Sequence, residues 1–160
     1  MEFKFTEDNL KRVEESINRY PWKRAALMPV LYIAQEQNGF ISSEVMTEIA
    51  RILGITPEDV LGVVTFYTMY HQQPVGKYHI QVCTNVSCML KGGYGIFELV
   101  KEKLGLQNMQ VSKDNLFSLE EVECMGSCGS APMIAVNEDY FENLTKEETN
   151  QIIDSLKNKN

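Results

Sequence analysis

Lys77-Tyr78-His79-Ile80-Gln81-Val82-Cys83 alternates polar and apolar side chains, with Tyr78, Ile80 and Val82 on one face. A period of two marks a half-buried strand, and this one ends at a cysteine. Cys88 follows five positions later. The segment Leu116 to Cys124 repeats the arrangement, an extended run closing on a cysteine, with Cys128 next. Between them, after Gly92-Gly93, Ile96, Leu99, Val100 and Leu104 fall at helical spacing and Gly105 stops the helix. Met133 to Val136 reads as a third strand, Asn137-Glu138-Asp139 as a turn and Tyr140-Phe141 as a fourth strand. Thr145 and Glu148 form a capping-box signature ahead of Ile152, Ile153 and Leu156. The order β-α-β-β-β-α matches a thioredoxin-like layer of four strands with helices. Both cysteine pairs then sit in loops just past strand ends, where α/β sheets present their ligands.

Upstream the pattern is helical. Thr6 is an N-cap for a helix carrying Leu10, Val13 and Ile17 on one stripe, ended by Pro21. A second helix runs roughly from Trp22 to Asn38, with Gly39 as its stop and Pro29 as a kink or a late start. Ser42 or Ser43 caps a third, with Val45, Ile49, Ile52 and Leu53 inward and Gly54 at its end. Thr56-Pro57-Glu58-Asp59 opens a fourth, carrying Val60, Val63 and Val64. Gln72-Gln73-Pro74-Val75-Gly76 reads as a linker. The expected class is α+β: a small helical bundle over residues 1–72, then a thioredoxin-like α/β domain over residues 73–160.

The four cysteines, Cys83, Cys88, Cys124 and Cys128, are spaced C-x4-C, 35 residues, C-x3-C. Short internal spacing in a cytosolic chain points to metal more than to a disulfide framework. Three chemistries compete: an iron–sulfur cluster on all four thiolates, a structural zinc on the same ligands, or a redox dithiol or disulfides. Neither pair has the C-x-x-C of a thioredoxin redox site. The x4 gap is longer than a zinc knuckle needs, and plant-type ferredoxins open with it, though the rest of their pattern is absent. Gly126 and Gly129, on either side of Cys128, let the backbone turn amides toward sulfur. Glu120, Glu121 and Glu123 would lower a cluster's potential if they lie close; the alternative is a solvated strand edge. Met89 and Met125, each directly after a cysteine, read as ordinary core filling.

Composition narrows the rest. The 160 residues carry 15 basic and 22 acidic groups, a net charge of −7, which disfavours non-specific nucleic-acid binding and docking on anionic membrane. The run Ala25 to Ala34 is too short to span a bilayer, and Met1 to Asp8 has no secretion-signal pattern, so a soluble cytosolic chain is expected. Arg12, Arg19, Arg24 and Arg51 all fall in the first part, a weak mark of a docking surface there. No P-loop, G-x-G-x-x-G or H-E-x-x-H occurs. Gly92-Gly93-Tyr94-Gly95 is read as a helix start and not a phosphate loop, and His71 and His79 as surface residues. No catalytic residues are apparent, so the chain reads as an electron carrier.

The run Arg24-Ala-Ala-Leu-Met-Pro-Val-Leu-Tyr-Ile-Ala-Gln-Glu-Gln-Asn-Gly-Phe-Ile-Ser42, with Val64-Thr-Phe-Tyr67, resembles the helical region of the NuoE-type subunit of NADH:quinone oxidoreductase, respiratory complex I. Cys83-x4-Cys88 and Cys124-Met-Gly-Ser-Cys128, followed by Ala131-Pro132-Met133, are similar to that family's [2Fe–2S] signature. The resemblance implies that Cys83, Cys88, Cys124 and Cys128 ligate one [2Fe–2S] cluster, two thiolates per iron, in a thioredoxin-like ferredoxin domain. It implies a proline at Pro132 beside the active loop, often cis in such folds. It further implies a NuoF-type flavoprotein partner binding FMN, NADH and a [4Fe–4S] cluster, within the peripheral arm of the complex on the cytoplasmic side of the inner membrane. Single electrons would pass between flavin and the [2Fe–2S] centre, with no membrane insertion of this chain and no nucleic acid. Similar subunits serve NAD-reducing hydrogenases and NAD-dependent formate dehydrogenases; a zinc-stabilised adaptor is the alternative of a different class.

Overall fold

The computed structural model describes residues 2–159. The chain separates into two compact units, Met1–Pro74 and Val75–Asn160, each with its own apolar core.

The first unit holds four helices: α1 (Glu7–Asn18), α2 (Leu27–Asn38), α3 (Ser43–Leu53) and α4 (Pro57–Phe66). Their starts are local chemistry. Thr6, Ser42 and Thr56 each accept a hydrogen bond from the backbone N–H three residues on, and the Asp59 carboxylate accepts one from the Thr56 N–H, completing a capping box. Gly39 and Gly54 end α2 and α3 in left-handed conformation, at φ 82° and 68°. The helix expected from Trp22 begins only at Leu27, because Lys23–Ala26 forms a 3-10 turn. Pro29 thereby falls within the first turn of α2, where an N–H has no intrahelical partner to lose, and no kink is needed. Leu27, Val30, Leu31, Ile33 and Ala34 make α2 the most buried helix; Val13, Val45, Ile49, Leu53, Val60 and Val64 pack around it. Leu10, expected on the α1 stripe, is exposed. Arg12, Arg24 and Arg51 pair with Glu36, Asp59 and Glu48 inside the unit.

The second unit is a mixed sheet in the order β2-β3-β1-β4-β5, built from β1 (Tyr78–Cys83), β2 (Gln110–Val111), β3 (Phe117–Val122), β4 (Ile134–Val136) and β5 (Asp139–Phe141). β1 runs parallel to β3, with Ile80 opposite Leu119 and Cys83 opposite Val122, and antiparallel to β4. The helices are α5 (Val86–Leu90), α6 (Gly93–Leu104) and α7 (Lys146–Asn158). Ile80, Val82, Phe117, Leu119, Ile134 and Val136 meet Ile96, Phe97 and Val100 of α6 and Ile153 and Leu156 of α7 in one core. Each fully buried side chain of this size contributes about 1.5–3 kcal/mol. The two-residue β2 and the single-turn α5 carry too few residues to leave a periodic signal, and β2 enlarges the expected four strands to five. Among the described residues, no helix is long and apolar enough to cross a membrane.

The other side of β1 is polar and buried. His79, expected at the surface, is 7% exposed, with Nδ1 2.8 Å from Ser118 Oγ and Nε2 2.9 Å from Glu120 Oε2. Gln81 Nε2 also donates to Glu120, at 2.9 Å. The strand period places His79 off the apolar face, and pairing with β3 lays two polar partners beside it, which offsets the cost of burying it.

Candidate iron–sulfur site

Cys83 is the last residue of β1 and not a loop residue. Beyond it Thr84 N–H bonds Val122 O, extending the sheet by one step, and Asn85 then caps α5 by accepting from the Val86 N–H. That single helical turn brings Cys88 back beside Cys83. Both are buried, 3% exposed, against Ala131 and Met133, with Val122 and Met125 packed alongside. α6 then starts hard against them. A Cβ on Gly93 would lie 2.8 Å from Cys83 O and 2.9 Å from Cys88 O, so glycine is required there by close approach.

The second pair comes from the turn after β3. The strand stops at Val122 and not at Cys124, because Glu123 O leaves the ladder and accepts from the Cys83 thiol at 3.6 Å. Gly126 N–H points at Cys124 Sγ, at 3.4 Å. Cys128 opens the 3-10 turn Cys128–Ser130, and the Ala131–Pro132 peptide is cis. Cys124 and Cys128 are exposed, and all four thiols are free.

All four cysteines line one cavity of about 70 Å3, together with Asn85, Val86, Ser87, Gly126 and Ser127. Among the described residues, no three His, Cys, Asp or Glu side chains converge on a single metal ion. A two-iron cluster does not need such a point, since its thiolates divide between two irons. Burial pushes the Cys88 thiol up to about 11; the adjoining Cys83 thiol adds to the rise by hydrogen bond and charge, and Cys128 adds further repulsion. The Met133 backbone, hydrogen-bonded to Cys88, pulls the other way. The Met133 backbone contact is the one that favours the thiolate a metal requires, since a cluster with four thiolates is anionic. The donor set, its two halves and its amide contacts therefore fit a [2Fe–2S] group.

Of the acidic residues, Glu120 is turned to His79 and Gln81, and Glu121 accepts from Thr84 Oγ1 at 2.8 Å. Met125 packs against the buried cysteines, whereas Met89 is 44% exposed and fills no core. Glu142, which sequence reading missed, accepts hydrogen bonds from Ser127 and Ser130 across 12 to 15 residues. α5 was also missed; the asparagine at position 85 is its one local signal.

A mixed sheet of this order with four cysteines around one cavity defines a ferredoxin of thioredoxin-like build. Residues 13–157 match the family model for thioredoxin-like [2Fe–2S] ferredoxins, and the chain belongs to that family; its cofactor is a [2Fe–2S] cluster. It is 44% identical to the E subunit of the NADH-quinone oxidoreductase of Rickettsia bellii, over 98% of this chain and 95% of that one. It is 41% identical to NADH-quinone oxidoreductase subunit 2 of Thermus thermophilus, over 96% of this chain and 86% of that one. A solved NAD+-reducing [NiFe]-hydrogenase shares the fold at TM-score 0.69 and 16% identity, over 81% of this chain and 23% of the hydrogenase chain.

Proposed function

We propose that Cys83, Cys88, Cys124 and Cys128 hold the [2Fe–2S] cluster, and that the chain is the electron-transfer subunit of an NADH:quinone oxidoreductase. The observation that carries this reading is the convergence of four sulfurs, from two segments 35 residues apart, on one small cavity. A bound cluster supplies one-electron exchange. The chain's own work is to hold the ligands and set their surroundings. Cys83 and Cys88 anchor from the buried side, and the Gly126 and Met133 amides offset negative charge at sulfur. The exposed Cys124 and Cys128 leave a short path for an electron to a partner.

That partner is a NuoF-type flavoprotein carrying FMN, NADH and a [4Fe–4S] cluster, within a complex on the cytoplasmic side of the membrane. The helical part, residues 1–72, docks on it, and residues 73–160 form the cluster domain. The names of the relatives at 41% and 44% identity favour a respiratory complex; the hydrogenase likeness is one of fold.

Anaerobic purification tests the reading. About two irons and two sulfides per chain, a rhombic S = ½ signal after reduction and co-purification of a flavoprotein are expected. One zinc in a colourless protein rejects the cluster assignment. A loaded cluster with no flavoprotein partner rejects the complex.

A further inference from the structure

One carboxylate reaches the wall of the cysteine cavity by way of hydroxyl groups. Ser127, directly before Cys128 and itself lining the cavity, donates to Glu142 Oε1, and Ser130 donates to the same oxygen at 2.8 Å. Glu142 comes from the segment between β5 and α7, so the contact joins two separate parts of the unit. Glu120 and Glu121 take no part, the first being engaged by His79 and Gln81 and the second by Thr84, outside the cavity lining.

We propose that Glu142 holds down the reduction potential of the cluster, acting as a positioning residue through Ser127. The inference rests on the ligand assignment above. Two effects act in the same direction. Hydrogen bonds donated to cluster sulfurs stabilise the more negative reduced state and raise the potential. A hydroxyl committed to a carboxylate does not donate to sulfur. In addition, the Glu142 carboxylate places a negative charge one hydroxyl beyond the cavity wall, and an arriving electron is repelled by it.

Potentiometric titration of the full chain, followed by electron paramagnetic resonance, tests this. Glu142→Gln keeps an oxygen that accepts from both serines while removing the charge; Glu142→Asp keeps the charge. For Glu142→Gln the oxidised-to-reduced ratio at fixed poise falls about threefold. That corresponds to roughly 30 mV upward at 59 mV per tenfold for one electron. The shift shrinks as ionic strength rises, which a purely structural role does not produce. Glu142→Asp stays at the wild-type potential. Should Glu142→Gln lose its iron, Glu142→Ala decides, its potential rising as well. A glutamine or alanine variant that retains two irons per chain at an unchanged or lower potential overturns the proposal and leaves the ligand assignment standing. A wild-type chain that binds no iron removes the ligand assignment instead.

Discussion

Replacing Gly93 with alanine adds one methyl group at the point where α6 meets the first cysteine pair. The new Cβ would lie 2.8 Å from Cys83 O, 2.9 Å from Cys88 O and 3.0 Å from the Cys88 carbonyl carbon. Ordinary C···O contact begins at about 3.3 Å, so the helix or both carbonyls must give by roughly half an ångström. The obstacle is space and not backbone conformation, because the Gly93 φ lies outside the left-handed region. Overpacking of this kind costs ~1–3 kcal/mol. Alanine's helix preference over glycine returns ~1 kcal/mol at most, and less at a first helical position. A net loss of ~1–2 kcal/mol follows, and it falls on the backbone of two proposed ligands. Gly62 in α4 is the matched control: nothing lies within 4 Å of an added Cβ, so Gly62→Ala gains ~0.5–1 kcal/mol. Urea unfolding and iron per chain are measured on both. A Gly93→Ala protein with a wild-type midpoint and full iron refutes the packing argument.

Other outcomes follow from the same structure. Cys124→Ala leaves three thiolates, and cluster absorption and the paramagnetic signal are lost; a full-strength signal contradicts the ligand assignment. A chain lacking residues 1–72 keeps its cluster but captures the flavoprotein poorly, and undiminished co-purification counts against docking through the helices. The Asp59 carboxylate is held below its usual range first by the Thr56 backbone N–H, with the Thr56 hydroxyl and Arg24 adding to this. A carboxylate lowered on folding stabilises above its unfolded value and loses that contribution as pH falls through the folded one. The stability advantage of the wild type over Asp59→Asn at pH 7 therefore fades below about pH 4. An advantage of equal size at pH 3 in urea titrations contradicts this account.

Legibility along the chain follows interaction range. Thr6, Thr56 and Thr145 cap helices as read, and of Ser42 and Ser43 it is Ser42 that does, because each hydroxyl bonds an amide three residues away. Gly92-Gly93 was legible as a helix start, but the reason for a second glycine appears only where Gly93 meets two carbonyls from the preceding segment. His79 shows the limit most clearly. Alternation assigned its face, yet its burial depends on Ser118 and Glu120, about 40 residues away, being brought opposite by the β1–β3 register.

From the sequence alone came the helix-then-sheet order, the strand ending at Cys83 and a set of four soft thiol donors, since caps, side-chain periods and donor chemistry are properties of neighbouring residues. Tertiary structure decided that Cys88 and Cys124 share one cavity, that two of the four sulfurs are buried and two exposed, and that Glu142 reaches the turn bearing Cys128. The shared cavity depends on parallel pairing of β1 with β3, far apart in the chain, and the Glu142 contact on the antiparallel β4–β5 hairpin; in either pairing a shift of one residue turns every side chain to the opposite face.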